Sequence, residues 1–223
     1  RVIVHEAVAA RVIGAICKSA SNLIIGDPSA THPVFMGPVI SRASRDAILQ
    51  AQEQFIRAGA RPLVRAVALT DPAPSADEAG PGHYVSPGVL EVERFVASDA
   101  PGYAGGDVEV FGPLLRISVA KNMDDAIEQA NATRYGLAAS IFTKDVGAIE
   151  RFLGEARAGC VNVNTGTAGA SSKLPFGGLG FSGNHRPAGA FSLDYCAYPV
   201  AGMLERGEAA TLSPGMRVDD SWL

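Results

Sequence analysis

The chain is poor in cysteine and histidine and carries no concentrated charge, and each shortage removes a class of protein. Its three cysteines, Cys17, Cys160 and Cys196, stand at long, irregular spacings. An odd number without a CxxC pair argues against a disulfide framework and fits a reducing compartment. The four histidines, His5, His32, His83 and His185, make no i, i+4 pair and no HExxH, so no metal is assigned. Nineteen Lys and Arg against 23 Asp and Glu leave a mild formal charge of -4. No basic stripe runs through the chain, which speaks against nucleic acid as a partner. Apolar runs fall short of the ~20 residues that span a bilayer. The opening RVIVHE lacks the apolar stretch and small-residue cleavage site of a signal peptide. Together these absences predict a cytoplasmic protein with no membrane partner.

What is present suits a globular domain: 223 residues, 47% hydrophobic and 19% charged, enough apolar material for a sizeable core. Residues 1–4 alternate like part of a strand, and residues 6–20 carry apolar side chains at helical spacing, so the chain is expected to open in mid-structure. A turn-rich loop from Gly26 to Pro38 precedes a helix over about 41–58, with Ser41 or Ser44 as cap and Gly59 as stop. Residues 70–82 (TDPAPSADEAGPG) predict an exposed connection without a core of its own. Strands are expected over 84–96, interrupted by a Ser86-Pro87-Gly88 turn, and over 114–119. A helix capped at Asn122 follows to about 129, its first-turn acids suiting the helix dipole. Then come a strand over 137–143, a helix over 145–155 and a strand over 159–163. This alternation predicts an α/β fold, a largely parallel sheet flanked by helices.

Residues 164–186 are mostly Gly, Ser, Thr, Ala and Pro with two phenylalanines, too long for a connector and typical of a loop that serves a site. Residues 191–200 (FSLDYCAYPV) predict a strand whose aromatics would pack against another sheet or subunit. The polar stretch from 205 to 223 reads as a loosely held tail.

Two local motifs invite chemistry. Gly178-Leu179-Gly180-Phe181-Ser182-Gly183 is a literal GxGxxG, but a dinucleotide fingerprint needs a strand before it and an unbroken helix after it, and Pro175 and Pro187 flank this one. Its glycines are expected to serve tight turns or close approach. The segment Asp107-Val108-Glu109-Val110-Phe111-Gly112-Pro113 sets two carboxylates and an aromatic beside a Gly-Pro turn. A carboxylate there could accept hydrogen bonds from a sugar diol while the ring walls off a flat group. The plainer alternative is a solvated acidic turn with Phe111 in the core.

Three separated strings, Glu109-Val110-Phe111-Gly112-Pro113, NATRYGL at 131–137, and Pro175-Phe176-Gly177-Gly178 followed by Ser182-Gly183, stand in the order and spacing of the aldehyde dehydrogenase family. Gly37-Pro38-Val39-Ile40 and Arg157-Ala158-Gly159 add two more, and the chain resembles the C-terminal half of that family. TAGASS at 167–172, Ser182-Gly183-Asn184-His185-Arg186-Pro187 and Asp194-Tyr195-Cys196-Ala197-Tyr198-Pro199 liken it to the arginine-catabolic subgroup that oxidises N-succinylglutamate 5-semialdehyde.

The resemblance implies NAD, with NADP an alternative, as cofactor. It implies that Glu109 holds the nicotinamide-ribose hydroxyls and Phe111 lies beside the nicotinamide ring. Ser171, Ser172 and Phe176 take the substrate-contacting positions, although loop hydrogen bonding would also account for the two serines. Arg186 and His185 could pair with a carboxylate, but an arginine at this family position more often braces the loop and the subunit contact, and that structural role is the one expected.

It further implies a catalytic-domain portion over 1–190, an oligomerisation strand over 191–200 and a tail over 201–223. A nucleophilic cysteine just before Arg1 and a glutamate base further upstream would complete the chemistry, because none of the three cysteines matches the nucleophile. No catalytic residue is expected within the chain itself. Its partners would be the semialdehyde, the N-terminal half of the enzyme or full-length subunits, and further copies of itself. Two rivals remain: a truncated, inactive module that joins full-length subunits, and a cysteine hydrolase using Cys160 or Cys196 with His185.

Overall fold

A computed structural model describes residues 1–70, 82–100, 102–169, 171–184, 187–204, 206, 214–217, 219 and 221. Strand β1 (Val2–His5) leads through a short 3-10 turn into helix α1 (Ala9–Ser21). Helix α2 (Arg42–Arg57) is capped by the Ser41 hydroxyl, which accepts from the Ser44 amide. Gly59, at φ +102°, ends it in the left-handed conformation that a glycine adopts without strain. Strands β2 (Arg61–Val64), β3 (Gly88–Glu91) and β4 (Leu114–Ala120) follow, then helix α3 (Met123–Asn131), capped by Asn122. Strand β5 (Ala138–Ile141), helix α4 (Val146–Glu155), capped by Asp145, and strand β6 (Cys160–Val163) complete the regular part.

The main sheet runs β1-β4-β3-β2. Strands β1, β4 and β3 are parallel, and β2 is antiparallel on the edge with a register shift between Pro62 and Val64. A proline lacks the amide a central strand must donate, so the edge is where Pro62 fits. Side-chain alternation divides the strands between two helical layers. Val89 and Ile117 pack with Val4 against Val12, Ile16 and Cys17 of α1, whereas Leu90 packs with Phe95 against Phe55 of α2. Parallel β5 and β6 form a separate ladder, and two-residue strands β7 (Pro175–Phe176) and β8 (Ala188–Gly189) a third, antiparallel one. The main sheet is thus largely parallel, as expected, with one antiparallel edge strand, and two small ladders stand apart from it.

Two strand expectations need correction. Only residues 88–91 of the 84–96 stretch pair regularly, with isolated bridges at His83 and Val85. Residues 191–200 are not a strand: Ser192–Cys196 is a short helix, α5, and 197–200 have no regular structure. With no neighbouring strand among the described residues to accept its ladder bonds, this stretch closes local ones instead, from the Asp194 amide to the Phe191 carbonyl and between the Ser192 and Tyr195 hydroxyls. Of the connection expected at 70–82, residues 71–81 lie outside the described residues.

Candidate active site

The Asp107–Pro113 segment is a surface loop whose first half is gripped from beneath. Arg116, in the middle of β4, is only 7% exposed. Its guanidinium donates to the carbonyls of Ala104 (3.2 Å), Gly106 (2.6 Å) and Val108 (2.8 Å), and it lies over the Phe55 ring at 4.2 Å. Burial, with the nearby Arg1 charge, brings the Arg116 guanidinium down to about 10, and Asp107 offsets part of the fall.

Asp107 is the loop's second anchor, 3% exposed. It accepts from Arg1 Nη2 at 2.6 Å, the Thr133 hydroxyl at 2.7 Å and the Arg134 amide at 2.7 Å. Burial pushes its carboxyl upward, but the Arg134 amide, the Thr133 hydroxyl and the Arg1 charge together outweigh burial and hold it below the ordinary carboxylate range. Arg1 also donates to the Ala132 carbonyl at 2.7 Å and lies over the Phe95 ring at 4.9 Å.

Beyond these anchors the loop turns outward. Glu109 is exposed, Val110 turns back against the α2 side of the core, and Phe111 is 84% exposed. The plainer alternative, with Phe111 in the core, does not hold. A Cβ on Gly112 would run into Ile48, so the chain passes close over α2 just where Phe111 stands clear of it. A carboxylate acceptor beside a bare aromatic face fits a ribose diol and a planar ring.

The same turn that holds Asp107 also holds the glycine-rich loop. Phe181 donates its amide to the Arg134 carbonyl (2.9 Å), Leu179 to Gly136 (3.0 Å), and the Ser182 hydroxyl accepts from the Gly136 amide (3.2 Å). The Arg134 guanidinium covers the Phe181 ring at 5.1 Å. Gly180 has φ +55° and sits so close to the Arg134 carbonyl that a Cβ would collide with it. The GxGxxG string is therefore a packed turn with a three-residue 3-10 helix, Gly180–Ser182, and no nucleotide fingerprint.

Ser171, Ser172 and Phe176 are all exposed. The Ser171 hydroxyl accepts from the Lys173 amide (3.2 Å), and Phe176 pairs with Ala188 across β7 and β8. Among the described residues no hydrogen bond, ion pair or ring contact joins Glu109 or Phe111 to Ser171, Ser172 or Phe176. Residues 133–136 link the loop that carries Glu109 to residues 179–182. His185 and Arg186 lie outside the described residues.

Sequence reasoning missed the buried anchors. The available signal for Arg116 was one charged residue inside a mostly apolar strand. Of the thiols, Cys17 lies on α1 and packs against the sheet, Cys160 is half-buried on β6 and Cys196 is exposed on α5. No group of three or more metal-ligating side chains occurs among the described residues, and no helix there is long and apolar enough to cross a membrane.

The chain is thus a mixed α/β fold that carries the anchored Glu-Val-Phe-Gly-Pro loop on its surface, just ahead of β4. The model of the aldehyde dehydrogenase family matches residues 1–199, and the chain belongs to that family. It is 37% identical over 219 residues to N-succinylglutamate 5-semialdehyde dehydrogenase of Novosphingobium aromaticivorans, covering 98% of this chain and 43% of that protein. It is 43% identical over 192 residues to N-succinylglutamate 5-semialdehyde dehydrogenase 1 of Caulobacter vibrioides, covering 86% and 37%. Betaine aldehyde dehydrogenase of Staphylococcus aureus, solved in complex with NAD+, superposes with a TM-score of 0.70 at 25% identity over 86% of this chain and 36% of that one. The chain thus spans well under half the length of the relatives it matches.

Proposed function

We propose that the chain is the cofactor-gripping and substrate-facing part of a cytoplasmic NAD(P)-dependent aldehyde dehydrogenase that oxidises N-succinylglutamate 5-semialdehyde to N-succinylglutamate. The observation that carries this reading is the Glu109–Phe111 pair: an acceptor and an uncovered ring, side by side on a loop whose preceding residues are fixed by buried ions. Glu109 would accept hydrogen bonds from the nicotinamide-ribose diol, and Phe111 would set the ring's plane. The bound nucleotide supplies the hydride acceptor. Ser171 and Ser172 would donate to a carboxylate of the succinyl group, and Phe176 would line the approach of the carbon chain. The thiol nucleophile and the carboxylate that activates water are assigned to an upstream segment of a longer polypeptide or to a partner chain, and homo-oligomers are expected.

The subgroup-like strings at 167–172 and 194–199 and the identities of 37% and 43% support the succinylated substrate. The test is kinetic, in the polypeptide joined to its upstream segment. Turnover of N-succinylglutamate semialdehyde should exceed that of succinate semialdehyde, and Glu109→Gln should weaken cofactor binding and hydride transfer about tenfold, the loss expected for a misplaced reacting group. Equal turnover of the two aldehydes would remove the substrate assignment, and unchanged kinetics in Glu109→Gln would remove the residue from the cofactor site.

A further inference from the structure

We propose that Arg116 is the positioning residue for Glu109, setting the aim of that carboxylate by holding the backbone of residues 104–108. This rests on the reading of Glu109 as the ribose acceptor given above. Arg116 uses its donors on three alternate carbonyls, those of Ala104, Gly106 and Val108. The run is a turn followed by a bend, closed by bonds from the Gly106 amide to the Tyr103 carbonyl and from the Val108 amide to the Gly106 carbonyl, and a rigid planar fork on which three of its carbonyls converge fixes its course. The last gripped carbonyl belongs to the residue immediately before Glu109, which leaves little backbone freedom between clamp and carboxylate.

The loop needs such a clamp because Gly105 and Gly106 have no side chains with which to hold themselves. The guanidinium satisfies buried carbonyls of Ala104 and Gly106 but makes no direct ion pair among the described residues. None of the hydrogen bonds of the Arg116 guanidinium goes to a carboxylate, burial penalises its charge, and an apolar side chain over Phe55 would fill the position without that penalty. What an apolar chain cannot do is take three carbonyls in one plane.

The experiment compares Arg116→Lys, which keeps the charge but loses the planar fork, and Arg116→Met, which keeps the bulk and loses the donors. Each is made alone and in a Glu109→Gln background, in the whole polypeptide. Both single variants should raise KM for NAD+ about tenfold, the scale of a slight misplacement, while KM for the aldehyde stays within about twofold. In the Glu109→Gln background neither should raise it further, because the carboxylate they aim is gone. A merely structural arginine would instead shift both KM values or neither.

If Arg116→Met does not fold, Arg116→Lys decides alone. An unchanged cofactor KM in Arg116→Lys, with a raised one in Glu109→Gln, overturns this inference and leaves the cofactor site standing. A full further rise in the double variant also overturns it. A silent Glu109→Gln would bring down the ribose reading and this inference together.

Discussion

Up to Phe152 the chain is built around buried apolar side chains, and beyond it none of the described residues is buried. The first region closes both faces of its four-stranded sheet with α1 and α2. The second keeps its shape by backbone hydrogen bonds and glycine packing: Phe181, Leu193, Tyr198 and Met203 stand in solvent. A region without a core of its own can change its surface chemistry at little cost in stability, but it depends on the other region for order. The β5–β6 ladder makes part of that dependence, and the Thr133–Gly136 turn makes another, since it binds Asp107 on one side and residues 179–182 on the other.

The sharpest way to break this comparison is to remove the shared anchor. Asp107→Ala leaves Arg1 and the Arg134 amide without their buried acceptor and should cost about 3–5 kcal/mol in urea unfolding, the scale for breaking a buried pair. Amide exchange should then quicken in residues 179–183 as well as in 104–112. Protection lost only in 104–112 would mean that the two regions are not coupled through this turn. Next in size is Gln52→Ala on α2, which strands the Ala66 carbonyl and amide that its side chain now satisfies at 3.1 and 2.7 Å. About 1–3 kcal/mol is expected, with no change in exchange beyond residue 164.

The same anchor predicts an acid limb. The folded-state pKa of Asp107 lies below its ordinary value of 3.8, so its stabilisation is complete above about pH 4 and is lost as pH falls through the folded value. Unfolding free energy of the Asp107→Asn variant should fall less between about pH 4 and pH 2 than that of the unmodified chain. Parallel acid limbs would show that the Asp107 carboxylate is not held as the structure indicates.

Most of this architecture was legible in the sequence because it follows local rules. Ser41, Asn122 and Asp145 cap the helices that their positions announce, and the alternation of Val89 with Leu90 matches the two faces of a strand. The Glu109–Phe111 pair was legible through motif order, not through energetics. The stretch at 191–200 was misread because its aromatic content describes what a strand would like, whereas a strand exists only if a neighbour pairs with it. The anchors were illegible for the same reason. Nothing near Arg116 in the chain says that its partners lie 8 to 12 residues earlier, and Asp107 looks like Glu109 until Thr133 and Arg134 come back to meet it.

The smallest expected effect is the one that most directly separates a ligand-facing ring from a core ring. Phe111→Ala removes an aromatic side chain that is 84% exposed and should change unfolding free energy by about 0.5 kcal/mol or less. Phe152→Ala, which empties a buried site on α4, should cost about 3–5 kcal/mol. In the polypeptide joined to its upstream segment, Phe111→Ala should nonetheless weaken cofactor binding, since a ring that contributes little to folding is left free to stack on a planar group. A Phe111→Ala cost approaching that of Phe152→Ala would mean that the ring is covered by protein, and the exposed acid-and-ring pair would then lose its meaning as a binding surface.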